Sequence, residues 1–216
     1  MDMYVNIVGF FRQGGIFMYP IVAVLAVGVA IALERYLYLT FSKRNNHKLW
    51  NQLQPLLKKG DYKSAYDITA RSKHAISQVM SYGLTRMSTA KRRDDIELAI
   101  EEGMMEIIPR LEKRTHYLAT FANIATLLGL LGTIIGLIQA FTAVSNADPA
   151  QKADLLSSSI SVAMNTTAFG LIVAIPLLLI HAVLQTKTTE IVDGLEMAGV
   201  KFVNLIVGRQ GTGDKQ

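Results

Sequence analysis

The chain has 216 residues, of which half are hydrophobic and only 18% charged, with a formal net charge of +5. So apolar a composition excludes a disordered chain. The absence of Cys excludes disulfides, thiolate catalysis and Cys-ligated metal centres.

The basic balance alone would fit a nucleic-acid binder, but the charges are not spread evenly. Three long stretches contain no Lys, Arg, Asp or Glu: Gln13–Leu33, His116–Ala147 and Leu155–Thr186. Each meets the requirement of about 20 residues for a membrane helix. The last two exceed it by about a third, so their helices should tilt or project beyond the hydrocarbon. Soluble amphipathic helices keep a polar face, and these stretches have almost none.

In chain order, Met3–Phe11 reads as a short segment lying along the membrane interface. The first span follows, roughly Phe17–Phe41. A cleaved signal peptide fits poorly, because the basic cluster and small-residue cleavage site are missing. Beyond it, Lys48–Lys59 reads as a short helix ended by Gly60, and Asp61 as the cap of a helix through Ala70. His74–Thr89 continues the helical pattern. Arg93–Arg114 is expected to form a charged helix running straight into the second span. Its Glu97–Glu101 and Glu102–Glu106 pairs repel slightly at one-turn spacing. Asp94-Asp95-x-Glu97 reads as solvated carboxylates rather than a metal site, and Lys91-Arg92-Arg93 as a helix start. After Thr186 one apolar stripe, including Ile191, Leu195 and Phe202, extends the third helix. Gly208–Gln216 reads as a disordered tail.

Sixteen Lys/Arg lie between Glu34 and Tyr117, and four follow the third span. Only Arg12 and Lys152 lie on the other side. The positive-inside rule therefore places the long loop and the C-terminus in the cytoplasm. The expected organisation is an N-terminal periplasmic or interfacial segment over 1–15 and spans over 16–41, 116–147 and 155–186. A cytoplasmic helical region occupies 42–115, a periplasmic loop 148–154, and a cytoplasmic extension with tail 187–216. The fold class is all-α and polytopic, with the second and third helices extended into the cytoplasm.

The polar residues inside the spans carry the functional signal. In the second span, Gly132, Gly136, Ala140 and Ala143 make a small ridge that permits close helix packing. Thr126 and Thr133 share a face one heptad apart; their hydroxyls bond to the preceding turn or line a thin wet path. In the third span, Asn165-Thr166-Thr167 covers about 200° of helix surface and so cannot face lipid throughout. Acidic residues are absent from all three stretches. His181, near the cytoplasmic end, reads as an interhelix hydrogen-bonding residue. A charged ion carrier must then come from a partner. No nucleophile, acid–base pair or metal cluster marks an enzyme.

The segments Gly129–Gly136 (GLLGTIIG) and Asn165–Pro176 (NTTAFGLIVAIP) resemble the MotA/TolQ/ExbB family, most closely its three-span ExbB/TolQ branch. Glu34-Arg35 and Gly60-Asp61-Tyr62 are also similar to that branch, over roughly Gly14–Phe202. The resemblance implies a homopentameric ring around a dimer of single-span ExbD/TolR-like partners. The partner's aspartate accepts the ion, and a TonB- or TolA-like effector receives the work. It also implies that Thr133 is the pore threonine and Thr167 its counterpart, with Thr126, Asn165 and Thr166 beside the path. Gly129, Gly132, Gly136 and Gly170 are expected in helix packing. Two departures stand out. Val162 occupies a position that usually holds glutamate, and Thr166 one that usually holds alanine. The Thr166-Thr167 pair is similar to sodium-driven flagellar stators. The expectation is therefore an ion-driven motor subunit without a bound cofactor or structural metal. Protons are favoured, with sodium held transiently near Thr133, Thr166 and Thr167 as the alternative. A passive membrane scaffold is the other competing reading.

Overall fold

A computed structural model describes residues 15–90, 92–145 and 147–213. The reading of Met3–Phe11 lies outside the described residues, as does Lys91. Among the described residues six helices follow in order: α1 Met18–Lys59, α2 Tyr62–Ala70, α3 Ala75–Met87, α4 Arg93–Glu112, α5 Tyr117–Ser145 and α6 Lys152–Gly213. There is no strand among the described residues. Three helical stretches, one in each charge-free region, are long and apolar enough to cross a membrane.

Three expectations change. Lys48–Lys59 is not a separate helix but the end of α1, which runs unbroken for 42 residues. No Gly interrupts it between Phe41 and Lys48, and Pro55 is accommodated inside it. The second change is a break between α4 and α5. Lys113 turns extended (φ −47°, ψ 135°) and Arg114 takes a left-handed φ of 68°. The charged helix therefore does not run straight into the apolar one. Third, α6 continues through Gly208 to Gly213, where a disordered tail was expected.

The chain divides into two compact units. The first contains the described residues up to Glu34 together with Arg114–Val183. Here α1 packs on α6 through Gly28, where an added Cβ would stand 2.9 Å from the Leu177 side chain. Glu34 pairs with Arg114 at 3.3 Å.

The second unit contains Arg35–Lys113 and the residues from Leu184 onward. Its core includes Leu53, Leu57, Met80, Ile96, Leu195 and Phe202, all nearly inaccessible to water. Phe202 lies over Gly83, where a Cβ would come within 2.6 Å of its ring. Arg35 is only 3% exposed and donates to the Leu111 carbonyl in the last turn of α4. A guanidinium there satisfies a carbonyl that the ending helix leaves open and complements its dipole. The Arg35 guanidinium also sits 5.0 Å from the Tyr38 ring centre.

The caps follow local chemistry. Asp61 accepts the Ser64 N–H at 3.1 Å and starts α2, as its sequence position implies. The Ser64 hydrogen bonds hold its carboxyl below the usual aspartate value. This support for α2 is present above the ordinary aspartate range and is lost as pH falls through the lowered value. Asp95 accepts the Arg92 N–H at 3.1 Å where α4 begins. Two carboxylates of α4 find cations on their own helix: Glu97 lies 3.8 Å from Arg93, and Glu106 pairs with Arg110. Tyr82 also donates to Glu106, and that carboxylate holds the phenol above its ordinary range. The N-cap of α3 is His74, whose side chain makes no cap bond. Instead Asn46, thirty residues earlier on α1, accepts the Ile76 N–H at 3.3 Å.

In this unit the helical Gly83, Gly103 and Gly199 are closely covered, whereas at Gly194 nothing lies within 4 Å of an added Cβ. Helical Gly costs about 1 kcal/mol relative to Ala. Gly194→Ala is therefore expected to stabilise the protein by up to about that amount. A rise in the thermal unfolding midpoint in detergent would show it.

Candidate ion path

The spans α5 and α6 meet where both carry glycine. A Cβ on Gly170 would stand 2.6 Å from the Ala125 carbonyl oxygen and 3.1 Å from the Gly129 Cα. A Cβ on Gly129 would stand 3.2 Å from the Thr167 Cα. Backbone therefore lies directly against backbone, as small residues allow in apolar surroundings. Further along, Gly136 faces Ala163, with 2.8 Å to its Cβ, and Gly132 receives the Thr166 methyl group and lies near Phe17. All four glycines expected in packing are thus at this seam.

The close approach brings two hydroxyls together across the seam. Thr133 of α5 and Thr167 of α6 are hydrogen-bonded to each other. Thr167 donates to the Gly129 carbonyl at 2.9 Å. Thr133 reaches the same carbonyl at 3.2 Å and the Ala163 carbonyl at 3.4 Å. Two hydroxyl protons are shared among four oxygens, so each proton has more than one acceptor within reach. Both threonines are half-buried. The two carbonyls belong to residues that sequence reading valued only for small size or overlooked. A backbone oxygen leaves no signature in the residue type.

The other expected path residues stand differently. Thr166 is 2% exposed, and its hydroxyl donates to the Val162 carbonyl one turn earlier at 3.0 Å. It occupies the α5–α6 contact, with its methyl over Gly132. Thr126 is exposed and donates to the Ala122 carbonyl at 3.1 Å. Asn165 is half-buried, and its amide has no partner among the described residues. Val162 lies against Gly15, 3.5 Å from where a Cβ would be. His181 is half-buried. Large apolar side chains such as Leu127, Ile138, Phe141, Met164 and Leu179 stay more than half exposed on these spans.

The seam predicts a sign reversal between two identical changes. Gly170→Ala places a methyl against two stretches of backbone that cannot rotate away, so it should destabilise the protein by about 1–3 kcal/mol. The same detergent melting measurement should show a loss, opposite to the gain at Gly194.

A model of the MotA/TolQ/ExbB proton channel family matches residues 71–197. The chain is 29% identical over 203 residues to a Methanothermobacter thermautotrophicus protein named as a biopolymer transport protein ExbB homolog, covering 91% of this chain and 71% of that one. It is 25% identical to a Synechocystis protein named as ExbB-like 3, over 80% of this chain and 82% of the relative. With the Tol-Pal system protein TolQ of Haemophilus influenzae it shares 32% identity, over 53% of this chain and 54% of the relative.

Proposed function

This chain belongs to the MotA/TolQ/ExbB proton channel family, and from that premise we propose that it is the multi-span subunit of an ion-driven motor in a bacterial inner membrane. The observation that carries the reading is the Thr133–Thr167 hydroxyl pair at the α5–α6 seam, inside spans that hold no acidic residue. A hydroxyl both donates and accepts, so the pair can exchange hydrogen bonds with a passing carrier. The carrier's charge must come from elsewhere, and an ExbD/TolR-like single-span dimer supplies it as a membrane aspartate. Ion flow through the joint assembly is then converted into mechanical work on a TonB- or TolA-like periplasmic effector.

The assembly is a homopentamer with that dimer in its centre. Large apolar side chains left exposed on α5 and α6 are ready for lipid and for neighbouring copies. The amide of Asn165, which has no partner among the described residues, fits a polar contact supplied by a neighbouring copy or partner. The orientation follows the basic residues, with the N-terminus periplasmic and the C-terminus cytoplasmic. Residues 42–115 and 187–216 are then the cytoplasmic part, and 148–154 a periplasmic loop.

The proton is the proposed ion. A sodium site needs several oxygens free to converge on one cation. Thr166, the residue that favours the sodium reading, is 2% exposed in the α5–α6 contact with its methyl on Gly132, which leaves its oxygen little room to reach a cation. The expected outcome can be measured on the complex reconstituted with its single-span partner. Flux at fixed pH and membrane potential should persist without sodium. Thr133→Val keeps the side-chain shape and removes one hydrogen bond of about 0.5–1.5 kcal/mol, so flux should fall roughly two- to tenfold while assembly survives. Saturable sodium dependence, shifted by Thr166→Ala, would replace the proton with sodium. Absence of any flux would leave a passive scaffold.

A further inference from the structure

The second unit contains a cavity that the ion path does not use. It lies between the ends of α1 and α6 and has a volume of about 440 Å³. That falls within the usual range for small-molecule sites, about 300–1,000 Å³.

The two helices that form it run in the same direction in fixed register. Lys187 donates to the Thr40 hydroxyl at 3.1 Å, and Lys43 bonds Glu190 at 2.6 Å; both pairs are offset by 147 residues. Carrying that offset forward sets Gly194 opposite His47, Met197 opposite Trp50 and Lys201 opposite Gln54. The missing side chain of Gly194 is what opens the space, since a Cβ there would touch nothing. Three turns of each helix line the opening, roughly 16 Å of length.

Asn46 lines this cavity and is only 7% exposed. Its Oδ1 is committed to the Ile76 N–H, which fixes the other amide atom as the nitrogen. That Nδ2 is buried without a hydrogen-bond partner among the described residues. A buried donor left open is unfavourable, and a ligand acceptor would satisfy it. Trp50 also lines the cavity, and the amides of Asn51 and Gln54 offer both donors and acceptors. At one end Lys43 is already paired with Glu190, whose carboxyl it holds below the usual range. At the other end Lys201 donates a hydrogen bond to the Met197 sulfur, at 3.4 Å, and has no carboxylate within ion-pair distance among the described residues. The lining lysines exceed the lining carboxylate by one, so the cavity suits an anion.

We propose that this cavity is a binding site for a small soluble anion carrying a planar ring, of the chemical class of a nucleoside monophosphate. The ring stacks on Trp50, an acceptor on the ring takes the Asn46 Nδ2 proton, and the phosphate lies towards Lys201. The site is independent of the ion path, so either can fail without the other.

Trp50 is the only tryptophan in the 216 residues, so its fluorescence reports this cavity and nothing else. The full chain in lipid nanodiscs is titrated to millimolar concentration with each of the four ribonucleoside monophosphates. The free nucleosides, inorganic phosphate and glycerol phosphate serve as separate arms, the last for a lipid headgroup. The proposal expects saturable quenching by at least one nucleotide, and weaker or no response to the other arms. Asn46→Asp keeps the oxygen that caps α3 but loses the free donor, and should weaken binding at least about tenfold. Gly194→Leu fills the cavity from the opposite helix and should abolish binding; it stands alone if the Asp variant folds poorly. No saturable response to any nucleotide would overturn the proposal. So would quenching unchanged in both variants, or equal response to glycerol phosphate or inorganic phosphate.

Discussion

Backbone contact between α5 and α6 at Gly129 and Gly170 is the constraint on which the rest of the first unit depends. Any side chain at either position would push the helices apart, because the facing atoms are a carbonyl oxygen and Cα atoms rather than flexible side chains. At the distance that glycine allows, the Thr133 and Thr167 hydroxyls meet, and the Gly129 carbonyl serves both. The same approach seats the Thr166 methyl on Gly132 and turns its hydroxyl back to its own helix. Packing and chemistry are therefore not separate tasks here. The glycines set the spacing, and the spacing decides which of two adjacent threonines reaches across.

Charge is distributed to match. The three charge-free stretches carry no Lys, Arg, Asp or Glu, so a hydroxyl cluster within them feels little fixed charge from its own helices. Positive charge begins at the span ends. Arg35 is buried on the last turn of α4, while Lys187 lies 3.7 Å from the Tyr36 ring centre and bonds Thr40. Such residues keep a charged head in polar surroundings while their stems cover apolar surface. The second unit holds its own core around Phe202 and Leu53, and among its described residues the buried side-chain polar atom left without a partner is Asn46 Nδ2.

The three spans were legible because charge is excluded from long apolar stretches by a large physical penalty, and its absence is easy to see. Asp61 and Gly60 were legible because capping is local: Gly60 takes a φ of 80° and Asp61 reaches only three residues on. The break at Lys113–Arg114 was not legible. Arg114 adopts a left-handed φ without being Gly or Asn, and the contact beside it, Arg35 on Leu111, joins residues 76 apart. Likewise the cap of α3 comes from Asn46, which no local pattern connects to Ile76. Within the candidate path, the threonines could be named from the sequence. Their division of labour depends on which face of α6 meets α5, and the Gly129 and Ala163 carbonyls carry no residue-type signal at all.

The central claim is that Thr133 and Thr167 of one chain touch across the α5–α6 seam. The chain lacks cysteine, so a pair introduced there reports without background. In membranes containing Thr133→Cys/Thr167→Cys, mild oxidation should form a disulfide within one chain, since such bonds need Cα atoms about 4.4–6.8 Å apart. The account predicts a product at monomer mass with both thiols protected from alkylation. Free thiols after oxidation, or crosslinks found only between chains, would contradict it.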